Sequence, residues 1–213
     1  MKPFLRWAGG KNWLIKHIDE LIDINQFNNY HELFVGGGSV YFHLDLRNNV
    51  FLSDLNGALI NTYIQVRDNV QDVIRFLNNY ENTEEFYYEI RPQFFDNPVE
   101  RAAQFIYLNQ TSFNGIYRVN LNVPYGHRVK DFRQEELLLE ASQKLQNVEL
   151  NDGPFYDFGN NIQEGDLVFL DPPYTITHND NGFIKYNEKL FSEADLRRLS
   201  NFIQQIIDNN AFY

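Results

Sequence analysis

The residues best suited to chemistry stand four in a row, Asp171-Pro172-Pro173-Tyr174. Such a string arises by chance in about one chain in a thousand of this length at average residue frequencies. Two prolines alone would make a rigid turn that ends a strand, because each fixes φ and offers no backbone N–H. They do not account for a carboxylate before them and an aromatic ring after. All four suit the activation of an amine attached to an aromatic ring. That amine is a poor nucleophile because its lone pair is delocalised, and acceptors aimed at both N–H groups localise it. Asp171 supplies one acceptor and the Pro172 carbonyl, fixed by its ring, a second that is already in place. Tyr174 offers a face on which a flipped-out base can stack.

A second constellation is Glu32-Leu33-Phe34-Val35-Gly36-Gly37-Gly38, with Asp54 at the end of the next apolar run. Three glycines are often only a flexible turn. Between a strand and a helix they let the backbone approach a nucleoside closely, and an acid at the end of the following strand can accept from ribose hydroxyls. The spacing is not G-x-G-x-x-G and no Walker lysine follows, which disfavours NAD and ATP. A third is Arg6-Trp7-Ala8-Gly9-Gly10-Lys11. It reads as a binding loop, with Trp7 as a stacking face and Lys11 as a cation for a carboxylate or phosphate.

The elements that must position these groups are legible in outline. Trp13, Leu14, Ile18, Leu21 and Ile22 recur at helical spacing. Residues 31–35 read as a short buried strand, 40–46 as a helix starting at the glycines, and 50–53 as a second strand ending at Asp54. This is half of a doubly wound sheet. Residues 58–147 read as a mostly helical insertion. Its helical stripes are Val70, Val73, Ile74 and Leu77; then Ala102, Phe105, Ile106 and Asn109; then Leu137, Leu138, Ala141 and Leu145. Asn114 to Gly126 has the turn chemistry of an exposed loop or hairpin. The sheet pattern returns with Asp166 to Leu170, and Ser192 and Asp195 make a capping box for a last helix.

Composition bounds the rest. The chain has 213 residues and no cysteine, which removes disulfides, thiolate zinc sites and a cysteine nucleophile together. No apolar run approaches a membrane span and the N-terminus lacks the character of a signal peptide, so a soluble intracellular protein is expected. The histidines His17, His31, His43, His127 and His178 show no metal-ligand spacing, and no metal is implied. Net charge is −11, yet residues 1–16 and 118–133 hold 8 of the 18 Lys and Arg against the single acid Asp131. Two acid-poor basic segments in an acidic chain point weakly to a phosphate-facing side.

Taken together, Pro3 to Lys11 (PFLRWAGGK), Phe34 to Val40 (FVGGGSV), Ser53 to Asn56 (SDLN), Arg101 to Gly115 (RAAQFIYLNQTSFNG), Asn122 to Gly126 (NVPYG) and Asp171 to Tyr174 (DPPY) occur in one order along the chain. In this the chain resembles the Dam-type, D12 class DNA adenine N6-methyltransferases of bacteria and their phages. The resemblance implies an α/β fold: a Rossmann-like, S-adenosylmethionine-dependent methyltransferase sheet over 1–57 and 148–213, with a mostly helical DNA-recognition insertion over 58–147. It implies that Trp7, Lys11, Phe34, Gly36, Gly38, Ser39, Asp54, Asp152 and Asp171 line the S-adenosylmethionine site. It makes Asp171, Pro172, Pro173 and Tyr174 the catalytic tetrapeptide, and places Arg6, Asn114, Arg118, Asn120, Arg128 and Lys130 on double-stranded DNA. Arg118 and Asn120 suit base-edge readout, with a GATC-type target in a bacterial or phage-infected cytoplasm. Between Arg118 and Gly126 the hairpin is shorter than is usual in the family. Family members also continue beyond the position of Tyr213 into further strands, so a missing C-terminal segment, or a partner chain supplying it, is expected. Methylation of cytosine N4, RNA or a protein amide by similar chemistry stays open at this point. So does a silent remnant that binds DNA without turnover.

Overall fold

The computed structural model describes residues 1–7, 12–113, 123–127, 131–173 and 191–213. At its centre four short strands lie parallel in the order β3-β2-β1-β4: β1 (Tyr30–Glu32), β2 (Val50–Asp54), β3 (Val148–Asp152) and β4 (Leu167–Phe169). Parallel pairing needs a crossover between consecutive strands, and helices supply the crossovers. After β1 comes α3 (Ser39–His43), preceded in the chain by α1 (Asn12–Ile15) and α2 (Ile18–Leu21). Between β2 and β3 run α4 (Gly57–Asp68), α5 (Val70–Asn78), α6 (Glu84–Ile90), α7 (Pro98–Thr111) and α8 (Glu135–Leu145). A 3-10 helix (Phe155–Asn161) leads into β4, and α9 (Glu193–Asp208) follows it. Phe212 then pairs in parallel with Leu167 on the outer side of β4.

Side-chain alternation sorts the strands between two cores. Tyr30, Val50, Leu52 and Val148 point into the larger one, which Leu59, Tyr63, Phe105, Ile106, Leu138 and others from the helices complete. Val168 points the other way, into a smaller cluster with Phe155, Leu199, Phe202 and Ile206. On that second face His31 stacks on Phe51, with ring centroids 4.6 Å apart and planes within 7° of parallel. The sheet is therefore covered on both faces, as an all-parallel sheet must be.

Local signals start and stop the helices. Asn56, Thr83 and Asn97 cap α4, α6 and α7 by accepting the backbone N–H of Leu59, Phe86 and Val99, and Pro98 occupies the first turn of α7, where a missing N–H costs nothing. The capping box of Ser192 and Asp195 is present at α9. Three expectations need correcting. The strand anticipated over 31–35 ends at Glu32, because Leu33 turns into the smaller core and the chain bends into the glycine loop. The helix anticipated over 40–46 stops at His43, and Lys144 caps its end by donating to the Phe42 and Leu44 carbonyls at 3.1 and 2.6 Å. The stripe beginning at Trp13 belongs to two short helices, α1 and α2, and leaves Leu21 exposed. Among the described residues no helix is long and apolar enough to cross a membrane.

A cleft of about 580 Å³ opens at the N-terminal ends of β2 and β3, lined by Asn28, Asn48, Asn49 and Lys144 among others. Its polar groups are engaged in holding loops: besides Lys144, Asn48 donates to the Phe27 carbonyl at 2.8 Å. The groups with chemical promise lie at the other end of the strands.

Candidate active site

The strand order reverses direction at β1. The chain moves from β1 outward to β2 and β3, then returns to place β4 on β1's free side. In an open parallel sheet the connections leaving the two strands at such a switch point part company, and the crevice between their C-terminal ends is where ligands bind. Here the connection leaving β1 is the glycine loop and the one leaving β4 is Asp171-Pro172-Pro173. Asp54 ends β2 and Asp152 ends β3, paired in register, so the acids singled out in the sequence line one edge.

The glycine loop is built for close approach. Gly36 and Gly38 have φ of +48° and +66°, a region that costs a side-chain-bearing residue strain. The loop is tied from three sides. The Gly36 N–H donates to Asp54 Oδ2 at 3.0 Å, the Tyr63 hydroxyl donates to the Gly36 carbonyl at 2.9 Å, and the Val35 N–H donates to the Ser53 carbonyl at 3.0 Å. Trp7 closes the fourth side, for a methyl group added at Gly36 would lie 2.7 Å from its indole nitrogen. Asp54 also accepts from the Asn56 N–H at 2.9 Å. Burial raises its carboxyl above the ordinary range, and the bonds from Asn56, Gly36 and Leu55 hold it back.

Beneath the loop sits Glu32, a residue to which the sequence assigned no role although it begins the motif. It is buried and accepts from the Tyr30 hydroxyl at 2.9 Å and from the Tyr41 N–H at 3.2 Å. Helix α3 begins at Gly38, which has no side chain to cap it, and the Glu32 carboxyl takes over that task from the strand. Burial pushes Glu32 from 4.5 up to about 8; its two hydrogen bonds oppose the shift, and the neighbouring Asp171 and Asp54 carboxylates add to it. Glu32 therefore keeps its proton at neutral pH, beside the Asp54 and Asp171 carboxyl groups of the same edge.

Among the sequence-derived site residues, Trp7, Phe34, Gly36, Gly38, Ser39, Asp54, Asp152, Asp171 and Pro172 all belong to this edge or to the segments that leave it. Phe34 packs between Phe155 and Phe191. Pro173 is exposed at the start of the segment beyond β4. Lys11, Asn114, Arg118, Asn120, Arg128, Lys130 and Tyr174 lie outside the described residues. A family profile described as D12 class N6 adenine-specific DNA methyltransferase matches residues 7–211.

The chain belongs to that class.

Relatives bear it out along the length of the D12 chain. The type II methyltransferase M1.LlaDCHI of Lactococcus lactis subsp. cremoris is 35% identical, the match covering 100% of this chain and 79% of the relative. The type II methyltransferase M.MjaIII of Methanocaldococcus jannaschii is 34% identical over 97% of this chain and 80% of its own. The DNA adenine methylase of Serratia marcescens is 32% identical over 96% and 78%. The D12 enzyme is thus an adenine-specific DNA methyltransferase with the Rossmann-like sheet of that fold, and its chemistry is N6 methylation of adenine in DNA.

Proposed function

We propose that the methyl donor is S-adenosylmethionine, bound over the glycine loop, and that the acceptor is an adenine flipped from duplex DNA of a GATC-type sequence. The observation that carries the reading is the pair of connections at the switch point, with the Gly36–Gly38 loop leaving β1 and Asp171-Pro172 leaving β4 beside it. The residues present fit the donor. The loop offers backbone without side chains, and the Asp54 carboxylate beside it is an acceptor for a ribose diol and a counter-charge for a cation. When bound, that donor supplies an electrophilic methyl group on a cationic sulfur.

Everything else falls to the chain's own groups. Asp171 and the Pro172 carbonyl accept the two N–H bonds of the adenine amine, so its lone pair turns from the ring towards the electrophile and the positive charge developing on nitrogen meets acceptors already in position. The Dam-like residues of the recognition segment, Arg118 and Asn120, support the GATC-type target through base-edge contacts. Residues 58–147 would carry that recognition and 1–57 with 148–213 the chemistry.

The test uses labelled S-adenosylmethionine with unmethylated DNA, followed by digestion to nucleosides. Label in N6-methyladenine, together with plasmid rendered sensitive to a nuclease that cuts only methylated GATC, supports the whole reading. Label in N6-methyladenine without that sensitivity overturns the target alone. Asp171→Ala is expected to abolish turnover while calorimetric binding of S-adenosylmethionine survives; if binding vanishes as well, the role given to Asp171 is wrong.

A further inference from the structure

The N-terminal segment that carries Trp7 reaches the glycine loop only because something holds it there, and the holding group is a polar residue on an otherwise apolar helix face. Asn109 occupies the buried stripe of α7 that Ala102, Phe105 and Ile106 share, and none of its surface is exposed. Its side chain is spent wholly on the backbone of Arg6. Arg6 N–H donates to Asn109 Oδ1 at 2.8 Å, and Asn109 Nδ2 donates back to the Arg6 carbonyl at 2.7 Å. A two-point bracket of this kind copies one rung of a sheet ladder and fixes the rotation as well as the position of the peptide. The next residue along α7 adds a single bond two residues earlier in the segment, Gln110 donating to the Phe4 carbonyl at 2.7 Å.

The peptide fixed in this way leads directly into Trp7, whose ring is the lid of the loop. A methyl group built at Gly36 would meet the ring nitrogen at 2.7 Å, and one built at Gly37 would meet the Trp7 Cβ at 2.8 Å. So α7 touches the loop through a short relay: Asn109 amide, Arg6 backbone, Trp7 ring, glycine backbone. We propose that Asn109 is a positioning residue for the methyl transfer, setting Trp7 over the glycine loop by bracketing both backbone groups of Arg6. The inference rests on reading that loop as the cofactor site. Asn109 touches neither donor nor base; its effect is on how firmly the donor is held. The Arg6 peptide groups, left buried without the Asn109 amide, would recover partners by letting residues 4–7 move away from the loop.

Because that binding is uniform between ground and transition states, its loss raises KM for the donor and spares kcat. The chain has two tryptophans, so Trp13→Phe leaves Trp7 as the sole indole and its emission reports the lid directly. In that background Asn109→Ala is expected to raise the calorimetric Kd for S-adenosylmethionine about tenfold, a loss within the cost of the unpaired Arg6 peptide groups. It should leave kcat within about twofold and shift the Trp7 emission of the ligand-free protein to longer wavelength. Asn109→Leu has nearly the same shape and neither donor nor acceptor; it should weaken binding by a similar factor, and it serves where the alanine variant does not fold. Leu77→Ala, in the core of α5 and remote from the loop, sets the standard for destabilisation alone and should leave Kd and emission unchanged. Unchanged Kd and emission in both Asn109 variants overturn the inference, as does an equal rise in Leu77→Ala. A parent protein that fails to bind S-adenosylmethionine at all would bring down the proposed function first, and this inference with it.

Discussion

Three carboxyl groups, Glu32, Asp54 and Asp171, share the C-terminal edge of the sheet, and burial bears hardest on Glu32, with the Asp171 and Asp54 carboxylates adding to its shift. Glu32 is surrounded by Tyr30 from its own strand, Tyr41 from α3, Tyr63 from α4, Asp54 from β2 and Asp171 beyond β4. With its carboxyl raised from 4.5 to about 8, the folded state holds a proton that the unfolded chain has released. The folded form binds more protons across that window, so the contribution to stability is largest below pH 4.5 and declines until about pH 8. The limiting slope is about 1.4 kcal/mol per pH unit. Glu32→Gln keeps an oxygen to accept from Tyr30 and Tyr41 and removes the titration. Its stability relative to the parent should rise between about pH 5 and 8, as read by urea midpoints at each pH. A difference that stays flat across that range would mean Glu32 is ionised throughout.

At the scale of elements, what could be read from the sequence and what could not follow from one physical contrast. A pattern is visible when an element has one buried and one wet face. Helix α5 meets that condition, and its Val73, Ile74 and Leu77 are the buried residues its stripe named. Helix α4 does not, since it lies between β2 and β3 on one side and α7 and α8 on the other, burying Thr62 and Gln65 along with its apolar residues. No stripe could single it out. Strand β3 was hidden for the opposite reason: it is an edge strand with exposed Glu149, and Val-Glu-Leu-Asn-Asp looks like a polar loop. The candidate edge was legible because Gly36 and Gly38 adopt positive φ there, which favours glycine. Glu32 and Asn109 were not, because a polar residue at a buried position declares its role only once its partners are known.

The same holds for the pin on the far side of the switch point. Asp166 is fully buried; it accepts from His31 Nε2 at 2.9 Å, from the Asn29 amide groups at 3.1 and 2.8 Å, and from the Gln163 N–H at 3.0 Å. Burial lowers His31 despite that carboxylate, so the imidazole is neutral and donates. This network joins β1 to β4, the two strands whose connections bound the proposed site. Asp166→Ala strands several buried donors at once and should cost about 3–5 kcal/mol in urea unfolding. A loss under 1 kcal/mol would show that the strands are held by packing alone.

For the whole molecule the difficulty is charge. A chain of net charge −11 is repelled by DNA at long range. Association must then depend on the basic minority that residues 1–16 and 118–133 hold in sequence, while acids such as Glu84, Glu85 and Glu89 gather on α6. Trp7 and the Arg6 backbone tie the first basic segment to the glycine loop at the C-terminal edge of the sheet. The second segment, with Arg118, Arg128, Lys130 and Arg133, follows α7 in the chain. If those side chains neutralise phosphates, each releases condensed counterions and adds about 0.9 to the slope of log Kobs against log salt. Replacing Arg128 and Lys130 together by alanine should flatten that slope by about 2 and weaken binding to target and non-target duplexes alike, as followed by fluorescence anisotropy. A slope that does not change would remove both residues from the phosphate backbone. A loss confined to the target duplex would move them from positioning the DNA to reading its sequence.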